Sequence, residues 1–169
     1  DGTEQTNGIR MSRMVKDLLF DAVRLRLNAN VPVGTFLSGG IDSSLICAIV
    51  SKFNKDLCAY TAGFDNQQFD ESHFAVDVAR SLGVPIKVCP CTGDDLMKVF
   101  NDYITYFDEP FADDSQITSS LVAEKARQDV TVILGGSFDS QFGCLCPEEV
   151  LGLRRRFLQS GESLRYLSR

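Results

Sequence analysis

Histidine is nearly absent from this sequence: His73 stands alone among 169 residues. Basic charge is also short, with 17 Lys and Arg against 23 Asp and Glu and a formal net charge of -6. That balance argues against broad contact with a nucleic-acid backbone, which needs a basic face. It leaves room for one nucleotide, which a few backbone N–H groups bind locally. No apolar run reaches the roughly 18 residues of a membrane span. The opening DGTEQTNGIR has no basic segment followed by an apolar one, so no secretory signal is read and a cytoplasmic location is expected. It has no initiator Met either, so the chain reads as cut or processed from a longer one.

The six cysteines do not form a recognisable metal set. Cys89 and Cys91 are separated by one residue, as are Cys144 and Cys146, whereas zinc sites space paired cysteines by about two to four and add histidine. The expectation is reduced thiols, with Cys47 and Cys58 in the core and the others in strands and loops.

What is present is alternation. Met11, Met14, Val15, Leu18, Leu19, Ala22 and Val23 follow the i, i+3, i+4, i+7 rule of a helix with one core face. Strands are expected over 33–37, 57–64, 85–89 and 130–134. Helices are expected over 44–53, from Asp70 to the stop at Gly83, along the Leu96, Val99, Phe100, Tyr103, Ile104 and Phe107 stripe, and over 119–128. Continuous apolar strands separated by helices indicate an α/β fold with a doubly wound, mostly parallel sheet. Beyond Phe142 the periodicity weakens. Pro147-Glu148-Glu149 suits the first turn of a helix, and Arg154-Arg155-Arg156 reads as a solvated face.

One stretch carries chemistry: FLSGGIDSSLI, residues 36–46. Ligands of open parallel sheets sit at the C-terminal ends of the strands, and Ser38-Gly39-Gly40 falls at such an end. Glycine lets backbone N–H groups approach an anion and adopt positive φ. The helix that follows presents free N–H groups and the positive end of its dipole, and Ser43 and Ser44 add hydroxyls. Asp42 repels phosphate unless a divalent cation lies between them. The stretch matches neither GxxxxGK[ST] nor GxGxxG. A capped tight turn would explain Ser-Gly-Gly alone; it does not explain SGGIDSS after an apolar strand.

SGGIDSS resembles the pyrophosphate loop of the ATP-pyrophosphatase group, whose members share a Rossmann-like adenine nucleotide alpha hydrolase fold. RLRLNANVPVGTFLSGGIDSSLI (24–46), FDESHFAVDVARSLG (69–83) and DEPFADDSQITSSLVAEKAR (108–127) resemble, in order, the synthetase domain of glutamine-dependent asparagine synthetases. The resemblance implies a partial synthetase domain over residues 1–143 and a divergent tail over 144–169. It implies a ligase that uses ATP and Mg2+ to activate the side-chain carboxylate of aspartate as an acyl-adenylate, releasing pyrophosphate, before ammonia attacks. By the same likeness Ser38, Gly39, Gly40, Asp42, Ser43 and Ser44 would hold pyrophosphate. Leu37, Ala62, Gly135 and Gly136 would lie along the nucleotide. Asp108, Glu109 and Asp113 fall near the acyl substrate, though they also read as a capped loop before a helix. Asp42 and Asp139 would be the metal ligands. The implied partners are small molecules, aspartate and ammonia, with the glutaminase domain or subunit outside this chain, and a possible homodimer.

The likeness breaks after Leu134. The family's second loop reads SGDGGDE or SGEGSDE, whereas here it is GGSFDSQFG. Asp139 matches the second acid, Ser140 replaces its acidic neighbour, and Phe138 stands where a small residue is usual. A lysine-bearing helical region follows in the family, and the tail over 144–169 here does not resemble it. Three alternatives stay open: a nucleotide-binding remnant without turnover, a beta-lactam-forming relative that adenylates another carboxylate, and an RNA-thiolating relative. The acidic balance counts against the last.

Overall fold

The computed structural model describes residues 2–28, 30–106 and 115–135. In chain order they form α1 (Gly2–Arg26), β1 (Val33–Phe36), α2 (Ile41–Phe53), β2 (Cys58–Phe64), α3 (Ser72–Leu82), β3 (Ile86–Cys91), α4 (Gly93–Tyr106), α5 (Ser115–Ala126) and β4 (Val132–Leu134). The strands lie in the order β3-β2-β1-β4, and each pairing is parallel. This is the doubly wound α/β sheet that the alternation indicated.

The chain lays down β1, β2 and β3 in one direction, then returns to place β4 on the other side of β1. Right-handed crossovers put the helices of such a reversal on opposite faces. One core accordingly joins Val23 of α1, Ile46, Cys47 and Ile49 of α2, and Ala75 and Ala79 of α3 to Ala59 of β2. The other joins Tyr60 of β2 to Val99 of α4 and to Leu121, Val122 and Ala126 of α5. Ala59 and Tyr60 are neighbours in one strand and enter different cores, the two-residue period of a strand covered on both sides.

Five sequence expectations change. α2 begins at Ile41 rather than 44 and α5 at Ser115 rather than 119. Serine, threonine and aspartate blur an apolar period, yet they suit a first helical turn. β3 runs on through Pro90 to Cys91; an edge strand tolerates proline because one side needs no ladder donor. Cys89 and Cys91, two apart on that strand, both enter the core at 5% and 3% exposure, and burial pushes both thiols up from their ordinary range. The described cysteines are free thiols. The expected core stripe of α1 splits: Val23 is buried and Leu19 packs against it, while Met11, Met14, Val15 and Leu18 are exposed. Phe100 of α4 is exposed as well. In both helices the apolar arc is wider than the strip that a neighbouring layer covers.

Gly83 ends α3 where expected, at φ +66, with its N–H on the Arg80 carbonyl and the Val84 N–H on the Ala79 carbonyl. No helix among the described residues is long and apolar enough to cross a membrane.

Candidate functional site

The reversal of strand order leaves β1 between β2 and β4, and the loop after β1 opens at that point. Leu37 extends the pairing by one residue, its N–H donating to the Tyr60 carbonyl at 2.9 Å. The backbone then turns at Gly39, φ +81. A Cβ there would lie 2.6 Å from Phe74 Cβ and 2.8 Å from the Ala75 nitrogen. The loop is therefore pressed against the first turns of α3, and only glycine meets both the positive φ and the contact.

Serines hold this shape. The Ser38 N–H donates to Ser43 Oγ at 3.2 Å, and the two hydroxyl oxygens are 3.0 Å apart. The Gly40 N–H donates to Ser38 Oγ at 3.3 Å, while the Ser43 and Ser44 hydroxyls donate to the Gly40 carbonyl at 3.2 and 2.6 Å. Ser43 is buried and acts as the knot; Ser38, Gly40 and Asp42 are exposed.

Neither α2 nor α3 has a side-chain bond from its own N-cap residue, but a carboxylate stands at the start of α3 and no side chain caps the start of α2. At α3, Asp70 Oδ1 accepts the Ser72 N–H at 3.1 Å and the Phe64 N–H at 3.4 Å. These bonds, those from Ser72 foremost, hold the Asp70 carboxyl below its ordinary range. At α4, the Asp95 N–H donates to Thr92 Oγ1 at 3.2 Å and the Thr92 N–H to Asp95 Oδ2 at 3.3 Å, a reciprocal cap. α2 starts from Gly40 with no side-chain cap. Its first N–H groups have no acceptor within the helix, and they sit at the positive end of the dipole. Such a terminus takes an anion.

Beside the loop lies a cleft of about 260 Å³. Leu37 and Ser38 form one side, Tyr60, Thr61, Ala62 and Phe64 of β2 the floor, and Thr118, Ser119 and Val122 of α5 another wall, with Phe36, Phe69 and Glu71 completing it. An apolar, partly aromatic slot thus adjoins an uncapped helix start, an arrangement suited to a ring with a phosphate tail.

Of the residues singled out from sequence, Leu37, Ser38 and Ala62 line this cleft, and Gly39, Gly40, Asp42, Ser43 and Ser44 form the loop and turn at its rim. Gly135 follows β4 at the same sheet edge, where a Cβ would lie 3.5 Å from Phe36 Cδ2. Gly136, Asp108, Glu109, Asp113 and Asp139 lie outside the described residues. Phe64, Phe69, Glu71, Thr118 and Ser119 were missed. Phe69 and Glu71 lie in the FDES stretch and Phe64 shortly before it, and the aromatics were a usable signal; the last two come from α5, whose approach to β2 is a tertiary fact.

Among the described residues no group of three or more His, Cys, Asp or Glu side chains could hold a metal ion. Mg2+ needs less from protein: one or two carboxylates suffice when phosphate and water supply the other ligands. Asp42, exposed in the first turn beside the anion site, fits that lesser demand.

A larger hollow, about 610 Å³, lies at the opposite sheet edge among Leu27, Val33, Phe53, Cys58, Tyr60, Lys87, Asp129 and Val130. The Tyr60 hydroxyl donates to Asp129 Oδ2 at 3.2 Å and Lys87 Nζ donates to Asp129 Oδ1 at 2.7 Å. The Lys87 bond, and secondarily Tyr60, keep the Asp129 carboxyl below its usual range, while burial first of all raises the Tyr60 phenol. These polar groups answer one another.

Residues 14–138 match the family model described as asparagine synthase. Asparagine synthetase [glutamine-hydrolyzing] 1 of Bacillus subtilis is 35% identical over 140 residues, covering 82% of this chain and 22% of that protein. A putative asparagine synthetase [glutamine-hydrolyzing] of Mycobacterium tuberculosis H37Rv is 36% identical over 127 residues, covering 75% of this chain and 20% of that protein. The chain thus spans about a fifth of the length of these relatives. Among solved structures, the NH3-dependent NAD synthetase of Campylobacter jejuni, in complex with nitrate ion, superposes with a TM-score of 0.54 at 16% identity, over 90% of this chain and 75% of that one. That likeness is one of fold.

Proposed function

This chain belongs to the asparagine synthase family, and we propose that it is the ATP-binding part of a carboxylate-amidating ligase. ATP sits with its base and ribose in the cleft between Leu37 and Ala62 and its pyrophosphate on the N–H groups of Gly39 and the first turn of α2. Aspartate is the acyl substrate: its side-chain carboxylate attacks the α-phosphorus, pyrophosphate leaves, and ammonia then displaces AMP to give the amide. The observation that carries this reading is the uncapped start of α2, set beside an apolar cleft at the switch point of the sheet.

Each part has a physical task. Donors fixed before reaction stabilise charge that builds on the leaving pyrophosphate without having to reorganise. The serine knot supplies that rigidity. Asp42 and, from the second loop, Asp139 are the residues that would hold Mg2+, which supplies charge neutralisation on the phosphates when bound. The apolar walls limit water, which would otherwise hydrolyse the activated carboxylate.

The sequence of the second loop favours one alternative. GGSFDSQFG has Ser140 in place of an acid and Phe138 in place of a small residue, so a chain that binds ATP without turnover is the second reading. Pyrophosphate release from Mg-ATP, with aspartate and excess ammonium, separates the two. Aspartate-dependent release that is lost in Asp42→Asn supports the ligase. Retained ATP binding by a folded chain with no release supports the remnant.

A further inference from the structure

Among the described residues that line the cleft beside the loop, Glu71 is the one acid, and none is Lys, Arg or His. Glu71 is exposed and is the N-cap residue of α3, yet its side chain makes no capping bond. Asp70 does that work, accepting the Ser72 N–H at 3.1 Å and the Ser72 hydroxyl at 3.0 Å. The connection from β2 is closed on itself as well. The Asn66 carbonyl accepts the Phe69 and Asp70 N–H groups at 3.0 and 3.1 Å, and Asp70 Oδ1 accepts the Phe64 N–H. The backbone on both sides of Glu71 is thus held by other residues, and its carboxylate is left over at the cleft. Beside a helix start that takes an anion, a carboxylate adds repulsion. Uncharged donors on the ligand turn it into a contact instead.

Position says which part of a nucleotide it meets. The Glu71 carbonyl accepts the Phe74 N–H at 3.0 Å, and Phe74 and Ala75 bear on Gly39 of the anion loop. Glu71 therefore stands about one helical turn, roughly 5 Å, from the residues that press on that loop. In the other direction the chain leads back to Phe69 and Phe64, aromatic walls of the slot. Between the phosphate end and the ring end of a nucleotide lies the sugar. We propose that Glu71 accepts the two vicinal hydroxyls of the ribose, so that the cleft selects ribonucleotides over deoxyribonucleotides; this rests on the nucleotide reading of the cleft given above. A cis diol offers two O–H donors and no charge, which matches the two oxygens of one carboxylate. Doubly wound dinucleotide-binding sheets use an acid for the ribose 2′-hydroxyl. Here the acid comes from the start of α3, after the strand next to β1.

Calorimetric titration of the full chain with ATP, 2′-deoxyATP and 3′-deoxyATP, at a fixed excess of Mg2+, tests this. The wild type should bind ATP about tenfold tighter than either deoxynucleotide, the loss of one hydrogen bond to a carboxylate. Glu71→Ala removes no capping bond, so its circular dichroism should be unchanged. It should bind all three nucleotides alike, because the hydroxyl and the carboxylate belong to one contact and their removals do not add. A merely structural role for Glu71 would weaken all three by the same factor and keep the gap between them. Equal binding of the three by the wild type overturns the inference and leaves the nucleotide reading standing. So does a Glu71→Ala chain that keeps the discrimination, or one that changes only in its dependence on Mg2+, which would make Glu71 a metal ligand. No binding of ATP by a folded wild-type chain overturns the nucleotide reading and this inference with it.

Discussion

The two edges of this one sheet make opposite use of polar atoms. At the N-terminal edge, Tyr60, Lys87 and Asp129 bond to one another across a hollow of about 610 Å³. At the C-terminal edge, the cleft is under half that size, about 260 Å³, yet α2 starts there without a side-chain cap and the loop is locked by its own serines. Size alone would choose the N-terminal end, and chemistry the C-terminal one. A helix start without a side-chain cap is open to an anion, whereas a closed network has already satisfied its own donors.

The contrast is sharpest at Gly39. Gly39→Ala forces a Cβ against Phe74 and the Ala75 backbone at an unfavourable φ. It should cost about 3 kcal/mol in urea unfolding, the sum of backbone strain and overpacking; a cost below about 1 kcal/mol would mean that the loop does not rest on α3. Phe69 tests the cleft without touching the fold. It lines the cleft yet is 68% exposed, so Phe69→Ala should weaken ATP binding about fivefold, near 1 kcal/mol, and leave the melting temperature alone. The sequence has no tryptophan, so Phe69→Trp places a single indole at the cleft, and its fluorescence should change on adding ATP. Unchanged affinity and silent fluorescence together would place the base elsewhere.

The smallest effect belongs to the closed edge. Asp129 has its folded pKa lowered, first by Lys87. A depressed carboxylate stabilises the fold above its unfolded pKa, and that contribution is lost as pH falls through the folded value. Asp129→Asn should flatten the acid limb of the melting temperature against pH while ATP affinity at neutral pH stays as in the wild type. An ATP affinity that falls with this substitution would show that the two edges are not independent.

Much of the site was legible before any coordinates. Leu37, Ser38 and Ala62 were picked out by a strand-end motif and its likeness, and they line one cleft. The roles of the serines were less legible. Ser43 was read as a hydroxyl facing phosphate; its hydroxyl is buried and bonds the Gly40 carbonyl within the loop, a partner that depends on how tightly the turn closes. Phe69, Thr118 and Ser119 went unread for a related reason: a cleft wall made of three segments has no local signature. The α1 stripe was misread because periodicity shows that a face is apolar, not how much of it a neighbour covers.

By itself the sequence determined the alternation of strand and helix, the absence of a long apolar span, the acidic balance and the loop at the end of β1. Each of these is local, set by side-chain period, charge count and the conformational freedom of glycine. Only the tertiary structure decided that β4 returns beside β1, which makes that loop a switch point, that Gly39 bears on α3, and that half of α1's apolar surface stays outside. Those depend on contacts between residues far apart in the chain, and chain distance carries no record of which faces will meet.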